Sequence, residues 1–204
     1  MFKYSLRRRM AALISLSLAL ATVLVATAAG APRARTAPPA QGVAVDIPTY
    51  LPLALKYTPP VRIDSAATTS YTDSNGNVWQ ADTGFVDGTA GNHGNISISN
   101  TSDPQIYRTE RYNLTGYAIP VTNGDYTVRL HFAENFYTGA GKRIFNVSVE
   151  GTPINNLDVF AEAGGVHVAL VKTVNVTVAD GKLDLGFTAS VGETMIDGIE
   201  AIPQ

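Results

Sequence analysis

Not one cysteine occurs in these 204 residues. Its absence removes disulfide cross-links, thiolate metal sites and a lipid-modified cysteine, and it leaves the redox compartment open. Helical periodicity is missing as well: beyond the first thirty residues no segment keeps apolar residues at a 3.6 spacing, which argues against a bundle or interleaved helices. A basic excess is absent from the bulk of the chain. From Val61 onward 8 Lys and Arg stand against 16 Asp and Glu, so there is no nucleic-acid footprint. Catalytic signatures are lacking too: there is no G-x-S-x-G, no H-E-x-x-H and no glycine-rich phosphate loop, and His93, His131 and His167 are scattered. No catalytic residue, metal site or cofactor is expected on these grounds.

What is present falls into three parts. A basic start (Lys3, Arg7 to Arg9) leads into an apolar run, Met10 to Ala26, followed by small residues. Residues 1–31 therefore read as an export signal peptide, and the expected localisation is secreted or extracellular. The alternative is a retained membrane anchor, since Met10 to Ala29 is long enough to span a bilayer. Residues 32–60 hold 7 of the 11 prolines and read as a semi-extended linker, although the stretch VAVDIPTYLPLALKY could instead pack as an edge strand. Residues 61–204 form the third part, and with 45% hydrophobic residues the chain has material for one well-cored domain.

That domain is organised around the stretch from Asp125 to Gly151. Tyr126, Val128, Leu130 and Phe132 alternate with Thr127, Arg129, His131 and Ala133, and Phe145, Val147 and Val149 alternate with Asn146, Ser148 and Glu150. Both arms have the period of a strand with one buried and one wet face. Strands are expected near 61–64, 78–82, 96–99, 105–111, 117–121, 126–133, 143–150, 154–160, 166–178, 183–189 and 195–202. Asn75-Gly76, Asn123-Gly124 and Asp180-Gly181 separate apolar runs and predict tight hairpins. Asp197 interrupts the last alternation and reads as a bulge or turn acid. Strands without intervening helices imply an all-β, antiparallel β-sandwich.

The loop Asn135 to Lys142 carries adjacent aromatics, Phe136 and Tyr137, flanked by glycine. Sugar rings present flat C–H faces and hydroxyl edges, so exposed aromatics beside fixed polar groups suit an oligosaccharide or polysaccharide. Glu134, which ends the HFAE run, reads first as a strand-end acid bonding neighbouring backbone. Trp79 reads as core, and His131 as a cross-strand or solvated histidine.

The runs LHFAENFY and KRIFNVSVEG, with YRTERY upstream and LDVFAEAGG downstream, resemble the malectin family of carbohydrate-binding domains over roughly Val61 to Ile202. The resemblance implies a galactose-binding-like jelly roll and a carbohydrate site at one end of it. It implies roles for Tyr112, closing T-E-R-Y, and for Phe136 and Tyr137, with the ring types exchanged relative to animal members. His93 falls where those members have a tyrosine, and Glu193 falls at or beside their late aspartate, so their glucosylated-glycan specificity does not transfer. The function expected is non-catalytic, lectin-like carbohydrate binding. The alternatives are a protein-binding adhesion or scaffold module and, behind it, a glycan-active enzyme.

Overall fold

The computed structural model describes residues 58–204; the expected signal peptide and all but the end of the linker lie outside the described residues. In chain order the strands are β1 (Val61–Asp64), β2 (Tyr71–Thr72), β3 (Val78–Trp79), β4 (Thr89–Asn92), β5 (Thr109–Tyr112), β6 (Gly116–Pro120), β7 (Gly124–Ala133), β8 (Ile144–Val149), β9 (Thr152–Leu157), β10 (Ala169–Val178), β11 (Lys182–Val191), β12 (Met195–Ile196) and β13 (Gly198–Pro203). Two four-stranded antiparallel sheets, in the orders β1-β13-β7-β10 and β6-β11-β8-β9, face each other as a β-sandwich. Their inward residues, among them Val128, Leu130, Phe132, Phe145, Val147, Leu183 and Leu185, form the main core. These are the apolar positions of the alternating runs, so the pleat assigns them to one side of each sheet.

Alternation fails where a second layer covers the wet face. His131 and Ala133, expected on that face of β7, are buried under a smaller core of Trp79, Ile98, Ile106 and Tyr107. His131 packs edge-on against Trp79, its Nδ1 lies 2.8 Å from the Tyr107 hydroxyl, and its Nε2 lies 3.1 Å from Oε1 of Glu200. It is thus a cross-strand histidine, but a buried one.

Two of the three expected hairpins are something else. Asn123-Gly124 joins β6 to β7 and Asp180-Gly181 joins β10 to β11, and in both cases the two strands belong to opposite sheets. These turns carry the chain over the edge of the sandwich. Only Asn75-Gly76 turns a paired hairpin, β2 with β3. The hairpin β8-β9 instead turns at Glu150 and Gly151, whose φ values of 48° and 76° suit the twist of adjacent strands.

Two short helical turns replace expected strand. Pro104–Tyr107 is a 3₁₀ turn, and α1 (Val159–Ala163) follows β9. Helix α1 forms because Asp158 caps it, accepting a hydrogen bond from Ala161 N, and because Gly164 ends it at φ 87°. The small third sheet, β12-β5-β4, closes one end of the sandwich. Asp197 sits where the last strand changes partner, from β5 through β12 to β7 and β1 through β13.

Candidate functional site

Four of the five predicted site residues line one cleft of about 370 Å³ at that closed end: His93, Tyr112, Phe136 and Glu193. Gly91, Asn92, Glu110 and Arg143 complete its lining. Tyr137 adjoins the cleft, its hydroxyl donating to Oε2 of Glu193 at 3.3 Å and its ring packing edge-on against Phe136 with centroids 4.9 Å apart. The residues come from four separate segments, the β4 loop, β5, the Asn135 to Lys142 loop and the loop before β12, and the third sheet gathers them.

The aromatic loop is held by acids at both ends. Glu134 is 1% exposed, and its Oε1 accepts hydrogen bonds from the backbone N–H groups of Phe136 and Tyr137, each at 2.9 Å. At the far end, Gly141 N donates to Oδ2 of Asp158 at 2.6 Å. Asp158 thus caps α1 and anchors the loop with the same carboxylate. Phe136 consequently stays 68% exposed, a ring fixed in solvent at the mouth of the cleft. Neither aromatic plugs the core.

Arg143 runs beneath this loop. Its Nε lies 2.9 Å from Oε2 of Glu134, its Nη2 lies 3.9 Å from Oε2 of Glu193, and its guanidinium carbon sits 5.2 Å from the centre of the Tyr137 ring. Burial and then the Glu193 carboxylate hold the Tyr137 hydroxyl above its usual pKa, keeping it a neutral donor.

Strand β5 divides its four residues by face. Glu110 and Tyr112 point to the cleft, while Thr109 and Arg111 point away, to Asp64 and Asp82. Gly91 pairs with Glu110 across β4-β5, and a Cβ at that glycine would stand 3.0 Å from Glu110 Cγ and 3.5 Å from the Tyr112 ring. Glycine there keeps the cleft open. Nε2 of His93 lies 3.1 Å from Oε1 of Glu110, within ion-pair range but outside hydrogen-bond geometry.

Most of the buried side-chain polar atoms that lack a hydrogen-bond partner among the described residues gather here. They are His93 Nε2, Glu110 Oε2, Glu134 Oε2, and Nε and Nη1 of Arg143; Ser65 Oγ and Asp197 Oδ1 lie elsewhere. Three of these atoms are nonetheless ion-paired, Arg143 Nε with Glu134 Oε2 at 2.9 Å and His93 Nε2 with Glu110 Oε1 at 3.1 Å, which leaves Glu110 Oε2 and Arg143 Nη1 as the cleft-wall atoms without a partner among the described residues. Asp197 is fully buried, and burial, then the Glu110 carboxylate, push its pKa well above the ordinary aspartate value. Both influences act against its charged form.

Sequence reasoning missed Glu110 and Arg143. Glu110 had a signal, since it stands two residues from Tyr112 on a strand and so shares its face. For Arg143 there was none, because its partners Glu134 and Glu193 are near only in space. Among the described residues no group of His, Asp and Glu is arranged to hold a metal ion, and no helix is long and apolar enough to cross a membrane.

Comparison with known proteins gives the family and the fold. A family model described as the Malectin domain matches residues 61–202. A probable leucine-rich repeat receptor-like serine/threonine-protein kinase of Arabidopsis thaliana is 33% identical over 142 residues, covering 60% of this chain and 14% of that protein. Malectin of Homo sapiens is 33% identical over 94 residues, covering 44% of this chain and 32% of that one. Among solved structures, a Bacteroides uniformis β-glucuronidase superposes with a TM-score of 0.65 at 22% identity, over 72% of this chain and 18% of the enzyme. The ANXUR2 extracellular domain of Arabidopsis thaliana superposes at 0.59 with 20% identity, over 69% of this chain and 47% of that one. At such identities the solved structures speak to the fold alone, and this chain spans less than half the length of each of these four proteins.

Proposed function

From the premise that this chain belongs to the malectin family of carbohydrate-binding domains, we propose that its end cleft binds an oligosaccharide or the end of a polysaccharide without acting on it. The observation that carries the reading is the coincidence, in one cleft, of the exposed Phe136 ring with the unpaired Oε2 of Glu110 and Nη1 of Arg143. Phe136 and Tyr112 offer C–H stacking surfaces, Glu193 and Glu110 accept sugar hydroxyls, and Arg143 donates.

A hydrolytic role has weaker support. Glycosidases need one carboxyl free to give up a proton opposite a second. Glu134 is committed to two backbone N–H groups and to the Arg143 guanidinium. Glu193 faces the Tyr137 hydroxyl and Arg143, both donors, so its carboxyl already has partners. The basic and apolar N-terminal stretch supports export, which places the expected ligand outside the cytoplasm.

Calorimetric titration of α- and β-linked gluco-oligosaccharides into wild type, Tyr112→Ala and Tyr137→Ala tests the reading. A dissociation constant of about 10 μM to 1 mM is expected for wild type, with affinity lowered by about 1–3 kcal/mol in each variant. Folded variants that bind as well as wild type would assign the rings to packing or to a protein interface instead.

A further inference from the structure

A second depression, of about 460 Å³, lies on the outward face of the β6-β11-β8-β9 sheet. Asn146 and Ser148 of β8, Gly186 and Thr188 of β11, Asn155 of β9 and Thr115 just before β6 line it. Alternation explains why these residues look outward, since their neighbours Val147, Val149, Leu185 and Phe187 are buried in the core. No lining residue is charged, although the domain is rich in Asp and Glu.

Two features keep the trough open. The backbone of Gly186 does not need glycine, because its φ lies outside the left-handed region, yet a Cβ there would stand 2.7 Å from Ser148 Oγ and fill the floor. Register shifts flank the trough, one in β8-β9 between Phe145 and Val147 and one in β11-β8 between Ala189 and Val191, and such bulges bend the strands that carry them. Asn146 Oδ1 accepts from Asn156 N, which leaves the amide NH₂ to donate. The side chains of Ser148, Asn155 and Thr188 have no hydrogen-bond partner among the described residues.

The trough is also aligned with the end cleft. Val191, 44% exposed, pairs with Ile144, and this row stands between Thr188 and Asn146 on one side and Glu193 and Arg143 of the cleft on the other. From Ile144 to Ser148 is about 13 Å along the strand.

We propose that the trough is a second carbohydrate subsite, holding the continuation of a neutral polysaccharide whose end occupies the cleft; in that continuity it rests on the reading above. Hydroxyl and amide groups exchange hydrogen bonds with sugar hydroxyls and supply no countercharge for a uronate, a sulfate or a nucleic acid. An added peptide strand is disfavoured as occupant because this is a sheet face, where the backbone groups are already paired across β6, β11, β8 and β9. Without an aromatic platform the trough adds affinity only when the ligand is long enough to reach it.

Calorimetry with neutral gluco-disaccharides and long gluco-oligosaccharides, beside affinity electrophoresis in gels containing neutral α-glucan, β-glucan, mannan or xylan, tests this on the exported protein. Wild type should bind long chains about tenfold more tightly than disaccharides, the worth of one or two added hydrogen bonds. Thr188→Val and Asn155→Ala, both at the surface, should abolish that gain and leave disaccharide affinity unchanged, and Gly186→Gln should do the same by filling the floor. Melting temperatures check that each variant is folded, and Thr188→Val keeps a strand-compatible side chain where Gly186→Gln crowds Ser148 Oγ. Equal affinity for short and long chains, or variants that keep the gain, would overturn the trough alone. If wild type is retarded by no neutral polysaccharide and binds no disaccharide, the trough falls together with the reading of the cleft.

Discussion

The two faces of the four-residue strand β5 use the same kinds of side chain for opposite ends. On the inner face Arg111 donates from Nε to Asp82 at 2.7 Å and from Nη1 to Gly88 O at 3.1 Å, and lies 3.5 Å over the Phe85 ring. Asp82 also accepts from Ala66 N and the Tyr117 hydroxyl, and Thr109 donates to Asp64. That network is closed. On the outer face Glu110 keeps Oε2 without a partner among the described residues, while its Oε1 lies 3.1 Å from Nε2 of His93. A satisfied polar network rigidifies, whereas an oxygen left without a partner is free to accept one, so one strand carries both the brace and part of the candidate cleft.

The largest expected effect tests the brace. Arg111→Ala strands the buried Asp82 carboxylate and should cost about 3–5 kcal/mol of stability by urea unfolding. Glu110→Gln should cost less than about 1 kcal/mol, since it removes no hydrogen bond. Equal losses from the two would erase the distinction between the faces.

The inner face has a pH-dependent weak point. Burial, opposed by the Thr109 hydrogen bond and aided by Asp82, raises the pKa of Asp64 from 3.8 to about 7. The folded state therefore holds a proton that the unfolded chain has released, and between these two values stability falls as pH rises. Asp64→Asn never ionises. It should match wild type near pH 4 and exceed it at pH 8, by a margin on the order of 4 kcal/mol at most. Melting curves across that range check it, and a variant whose advantage does not grow with pH would sink the claim.

On the outer face the effects move to the ligand. Tyr137→Ala should cost about 1–3 kcal/mol of sugar affinity. The smallest effect belongs to Glu193→Ala: as a partly exposed acceptor it should weaken binding several-fold while the melting temperature stays nearly constant.

The strands and their inward residues were legible because alternation is a property of neighbours. Tyr112, Phe136 and Tyr137 could be singled out for a similar reason, as aromatics standing in short motifs. What stayed hidden depends on the third dimension. Nothing beside His131 announces that Trp79 and Tyr107 will cover it, and nothing near Lys142 tells that the next residue will span Glu134, at the start of the same loop, and Glu193 from another. The turn dipeptides show a subtler limit. Asn123-Gly124 and Asp180-Gly181 fix a sharp reversal, but the reversal is equally good within a sheet or between two, and only the packing of strands of about 30 Å decides.

The direction of β7 also settles how the domain can be held. The strand runs from Gly124 to the cleft, and at its far end Thr58 lies 3.3 Å from Thr122 while Gln204 N donates to Asp125 O. Both ends of the described chain thus emerge at the pole opposite the cleft. Linked to a sensor surface through either one, the domain would stand with its mouth toward the solution, so a tether on that side acts as a handle and leaves the approach of a large glycan unobstructed.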